Sequence, residues 1–151
     1  MYPLIIGFLS GAASGVIMGL LSHVLFLLKI FKSSLITVDG SFFFRTLKVN
    51  SSSQSVFAAG LLIHLVTSGV FGAIYILATS FLKLDATTVG SSLLISLYIA
   101  LLYLSMLIIA LPIAGEGFLG RKSGAFTWFE QLILHVVFAL LYYGCLKTFL
   151  I

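Results

Sequence analysis

Three histidines, His23, His64 and His135, each interrupt a long apolar stretch, in a chain with little other ionisable chemistry. An imidazole in such surroundings is costly to keep, titrates near neutral pH, and is a natural ligand for zinc, copper or iron. His23 lies seven residues before the end of its stretch, while His64 and His135 each lie eight residues after the start of theirs. At 1.5 Å per helical residue the three rings come to one level, about 10–12 Å below a common boundary. The third apolar stretch brings Ser105 and Met106 to the same level. Two chemistries suit such a layer. His64 and His135 could hold a haem b between facing helices, with Gly60, Ser68 and Ala139 leaving room and Arg45, Lys48 or Arg121 pairing with propionates. Alternatively His23, His64 and His135, with the Met106 thioether, form a transition-metal environment best suited to copper. The competing explanation is that each ring simply hydrogen-bonds across helices. No His-x-x-x-His or Glu-x-x-His motif is present, and no carboxylate falls in the interior of a span. A proton or small-solute pathway through the layer, with Gln131 one turn from His135, ranks lower because Asp39, Asp85, Glu116 and Glu130 all fall in connections or at helix ends.

The elements that must position these rings follow from composition. Of the 151 residues 61% are hydrophobic and 8% charged, with a mean hydropathy of +1.25, values foreign to ordinary soluble domains. Four apolar segments, about 3–30, 56–82, 92–112 and 127–151, are each long enough to cross a hydrocarbon layer of ~30 Å as a helix. The expectation is an all-α, integral membrane four-helix bundle forming a single transmembrane domain over residues 1–151. The first segment lacks a basic residue ahead of it and is too long for a secretory leader. Lys29, Lys32, Arg45, Lys48, Arg121 and Lys122 gather at the side of the 31–55 and 113–127 connections, leaving Lys83 and Lys147 at the other. That bias places both connections in the cytoplasm and both termini outside. The formal charge of +4 is a topology signal with affinity for anionic headgroups, which Arg45, Lys48, Arg121 and Lys122 would meet, and not a mark of nucleic-acid binding. The single cysteine, Cys145, supports neither a disulfide framework nor a Cys-rich metal motif.

Small residues recur every four positions. Gly7, Gly11, Gly15 and Gly19 lead to His23 in the first span, and Gly60, His64, Ser68 and Gly72 repeat the spacing in the second. Each step of four turns about 400°, so such a ridge winds around its helix and favours a crossed, close contact. The first two spans should pack tightly. A short internal similarity, LLIHLVTSGVFGAIY and QLILHVVFALLYYG, suggests two parallel two-helix repeats that set His64 opposite His135. In the first connection Asp39-Gly40 lies between β-branched and aromatic runs, a hairpin signal, but Phe42, Phe43 and Phe44 beside Arg45 fit an interfacial loop slightly better. In the second, Pro112 ends the third helix. Thr127 and Glu130 then form a capping box for the fourth, with Trp128 anchoring at the interface.

Pro112, Gly115 and Gly117, followed by a final helix carrying His135 among aromatic and small residues, resemble a group of small bacterial four-helix inner-membrane proteins of unknown function. The resemblance covers about the last third of the chain. It implies a bacterial four-helix membrane fold and no activity. No nucleophile–base pair or paired catalytic carboxylates are visible, so independent enzymatic activity is not expected. Two functions lead: a histidine layer binding haem or metal for electron transfer or quinone chemistry, and an accessory subunit whose glycine ridges dock to a homo-oligomer or larger membrane complex.

Overall fold

The computed structural model describes residues 2–87 and 89–150, with side chains at 89–91 left aside; Ile151, the end of the fourth expected span, lies outside the described residues. Every element described is helical: α1 (Tyr2–Leu27), α2 (Leu35–Leu47), α3 (Ser53–Phe81), α4 (Val89–Ser105) and α5 (Thr127–Leu150). Beyond Ser105 the chain of α4 continues through a π-helical segment, Met106–Ala110, into Leu111–Ile113. The wider turn falls immediately before Pro112, whose ring lacks an N–H and would crowd the carbonyl four residues back in a regular helix. Four helices, Tyr2–Leu27, Ser53–Phe81, Ser92–Ile113 and Thr127–Leu150, are long and apolar enough to cross a membrane.

Three helices close on a lysine. Lys29, Lys48 and Lys83 adopt left-handed backbone angles after α1, α2 and α3, and in each case the next amide donates back to the carbonyl five residues earlier, as in Ile30 to Leu25. This closure satisfies end carbonyls and sets a cation at the negative end of the helix dipole. It also ends the first helix at Leu27, short of the expected Ile30.

The principal departure from expectation is α2. Neither a hairpin nor an interfacial loop occupies this stretch: Asp39-Gly40 lies in the middle of a 13-residue helix. Ser34 caps it, its hydroxyl accepting from the Thr37 amide, and Ser22 of α1 accepts from the Leu35 amide at 3.1 Å. The helix then lies on α3 with Gly40 against Gly60. A Cβ at Gly60 would come within 1.8 Å of the Ile36 carbonyl oxygen, and one at Gly40 within 1.9 Å of that of Val56. Only two glycines facing each other let two backbones approach so closely.

Helix α1 lies against α3 and α5, and α4 packs chiefly on α5. The α1–α3 contact runs through the glycine rows: a Cβ on Gly7 would meet the Gly72 carbonyl, one on Gly11 the Ser68 carbonyl, and one on Gly15 the Ser68 side chain. Gly19 instead makes room for the His64 ring, whose Cδ2 would stand 2.9 Å from an added Cβ. Between α3 and α5, Tyr142 donates to the Gly72 carbonyl at 2.7 Å, and its ring meets Tyr75 edge-on at 5.7 Å. Contact between α3 and α4 is sparse, carried by Tyr98, whose hydroxyl donates to the Phe71 carbonyl. The second half has no counterpart of α2 among the described residues; its connection is a glycine-rich loop with one 3-10 turn, Phe118–Gly120.

A histidine-lined cavity between α3 and α4

Where α3 and α4 stand apart, a cavity of about 430 Å³ opens. Its walls come from all five helices: Met18 of α1, Leu35 and Asp39 of α2, His64, Thr67 and Phe71 of α3, Ser105 and Met106 at the α4 bend, and His135 and Phe138 of α5. Apolar side chains dominate, with a few polar groups converging, the usual make-up of a small-molecule site. The π-helical turn contributes Met106, Ile109 and Ala110, in keeping with the tendency of such turns to fall at functional positions.

The polar centre is His64, 8% exposed. Its Nδ1 lies 3.0 Å from Asp39 Oδ2. An ionised carboxylate only accepts, so Nδ1 donates and, in the neutral ring, Nε2 carries the lone pair. That Nε2 is buried and has no hydrogen-bond partner. His135 is arranged likewise: Nδ1 donates to the Gln131 carbonyl at 2.8 Å, and the ring meets Tyr103 edge-on at 5.6 Å. Both imidazoles therefore have their orientation set by an oxygen acceptor, the support that metal-binding histidines usually receive.

Of the candidate residues, His64, His135 and Met106 line this one cavity, and His23 does not. His23 pairs through Nδ1 with Ser34 Oγ at 3.0 Å and lies against Phe57 with ring centroids 4.8 Å apart, where it seats the start of α2. The three-histidine metal layer is thus not assembled, because the chain turns back after α1 and inserts α2 at that level. Among the described residues no cluster of three or more His, Cys, Asp or Glu is placed to hold a metal ion. Gly60, counted toward haem space, is filled by the α2 backbone.

Asp39, which the sequence pattern sets in a connection, lines the cavity. A carboxylate assigned to a connection is carried by α2 onto His64. The available signal was Gly40, a small residue able to meet Gly60. Glu130 also departs from expectation: it is 6% exposed and accepts from the Lys32 amide through Oε1 at 3.0 Å in place of a capping box, while Thr127 Oγ1 has no partner. This bond ties the first connection to the first turn of α5. Arg45, expected at headgroups, donates to the Ala114 carbonyl beside Gly115, whose positive φ of 86° and lack of a side chain admit the guanidinium. Lys48, Arg121 and Lys122 remain exposed.

No protein-family model, curated protein or solved structure matches the chain.

Proposed function

We propose that the protein is an integral membrane four-helix bundle, with α2 inserted beside α3, that holds a small membrane-borne molecule in the cavity between α3 and α4. Large apolar side chains turned outward along the helices, such as Leu9, Leu62, Leu101 and Leu140, each at least 59% exposed, support burial in lipid. The basic connections would face the cytoplasm, as in a bacterial inner membrane with both termini outside. The single observation that carries the binding function is the cavity of about 430 Å³ itself, apolar for the most part, with Asp39, His64 and His135 converging on it.

A second reading is favoured by the paired tautomers. With both Nδ1 atoms engaged, His64 and His135 each keep the nitrogen that would ligate a haem b iron. The accessory-subunit reading is weakened because Gly7, Gly11, Gly15, Gly60 and Gly72 face other helices of the same chain and offer no ridge to an outside partner.

The test is organic extraction and mass spectrometry of protein purified in mild detergent from native membranes, with oxidised and dithionite-reduced absorption spectra of the same sample. The expected result is a stoichiometric apolar molecule that is lost in His64→Gln. A Soret band that shifts on reduction would install haem as the occupant. A colourless sample with an empty extract overturns both readings.

A further inference from the structure

We propose that the occupant is a hydrophobic organic cation that competes with a proton for the Asp39–His64 pair, a proposal that rests on the ligand-holding function above. Asp39 is the one carboxylate among the described residues lining the cavity, and no lysine or arginine lines it. One of its oxygens stands 3.0 Å from His64 Nδ1, yet the Asp39 side chain keeps 26% of its surface exposed, against 10% for that of His64. The acid is therefore the more accessible member of the pair. Its preference for a cation does not depend on where the pair keeps its proton. With Asp39 ionised and His64 neutral, the pair carries one negative charge and attracts a cation directly. With His64 protonated the pair is neutral, and an arriving cation favours loss of that proton. The other titratable group on the cavity wall is His135 of α5, which Tyr103 of α4 meets edge-on; Met18 of α1 and Ser105 and Met106 at the α4 bend carry no charge. An anion would find no permanent cation there.

The walls suit the same class of molecule. Phe71 and Phe138 bring aromatic rings, and Met18 and Met106 bring polarisable, adaptable thioethers, groups that accommodate a weakly hydrated cation with an apolar body. A bare metal ion fits less well, since among the described residues no group of three or more His, Cys, Asp or Glu could hold one. Phe71 and Ile109 both line the cavity and are 41% and 56% exposed, so the cavity reaches the outer surface of the helices between α3 and α4. In the bilayer that surface faces lipid tails, the phase into which a hydrophobic cation partitions.

The experiment is equilibrium dialysis of the full chain in nanodiscs of zwitterionic lipid against 4-phenylbutyltrimethylammonium and, separately, its neutral isostere with carbon in place of nitrogen. Binding is counted in excess of protein-free discs and referred to the probe concentration in the lipid. The cation is expected to bind at least about tenfold more tightly, as an accessible carboxylate beside aromatic walls favours a positive charge. Its affinity should rise between about pH 5 and about pH 9, where an imidazole paired with a carboxylate releases its proton, while that of the isostere stays level. Asp39→Asn should remove both the preference and most of the pH dependence; if that variant does not fold, the pH dependence of the unaltered chain decides. Equal binding of the two probes, a cation affinity independent of pH, or a preference retained in folded Asp39→Asn overturns the cation assignment. So does binding of neither probe. In that case a stoichiometric neutral or anionic molecule in the native extract leaves the ligand-holding function standing, and an empty extract removes it as well.

Discussion

Replacing Gly60 with alanine tests the contact that delivers Asp39 to the site. The new Cβ would stand 1.8 Å from the Ile36 carbonyl oxygen, where contacts under 3.0 Å are essentially never found. Both sides are backbone, so no rotamer change relieves the clash, and α2 must withdraw from α3 by about 1.2 Å. Such overpacking costs roughly 1–3 kcal/mol, and a purely backbone clash belongs at the upper end. The same withdrawal stretches the 3.0 Å bond between His64 Nδ1 and Asp39 Oδ2 toward about 4 Å, beyond hydrogen-bonding range, and a bond to a charged group is worth roughly 1.5–3 kcal/mol. The expected total is about 5 kcal/mol, less up to ~1 kcal/mol regained from alanine's helix propensity. Gly144→Ala is the control: nothing lies within 4 Å of its added Cβ, so it should stabilise by up to ~1 kcal/mol. Unfolding in mixed micelles titrated with SDS reads the stability, and imidazole nitrogen NMR reads the protonated Nδ1 of His64. If Gly60→Ala unfolds like the Gly144 variant and keeps the His64 signal, α2 does not lie on α3 as described.

Other contacts give separate tests. Gly15→Ala should destabilise, because its Cβ would meet Ser68 Cβ and Oγ, and adding Ser68→Gly should restore most of the loss in a double-mutant cycle; Gly11→Ala, which meets the Ser68 backbone, should not be rescued. Tyr142→Phe removes a buried hydroxyl that donates to the Gly72 carbonyl and should cost about 1 kcal/mol in the same unfolding assay. In the loop before α4, the Thr87 backbone amide and then its hydroxyl hold the Asp85 carboxyl below its ordinary value of 3.8. This contribution is therefore present above pH 3.8 and fades as pH falls through the lowered value. Thr87→Val, which keeps the amide and removes the hydroxyl, should shift the Asp85 carboxyl titration upward by NMR, and an unchanged titration would rule out the bond.

Much of the framework was legible in the chain itself. Four helices long enough to cross a membrane follow from uninterrupted apolar runs, because hydropathy and length are local properties. The close approach of the first and second spans was readable from Gly7, Gly11, Gly15 and Gly72, since missing side chains at four-residue spacing act wherever that helix face lands. His64 and His135 were marked by type alone, ionisable rings in apolar surroundings. What the tertiary structure decided is the identity of their neighbours. Ile36 to Phe44 reads locally as a turn or an interfacial loop, and it becomes a helix because Gly60, twenty residues beyond Gly40, lets the two backbones touch. That contact brings Asp39 to His64 Nδ1, and the same helix sets Ser34 beside His23, away from the cavity. The cavity exists because α3 and α4 do not pack closely. An absent contact leaves no periodic trace in a sequence, since spacing records the faces a helix can offer and only the assembled chain determines which of them go uncovered.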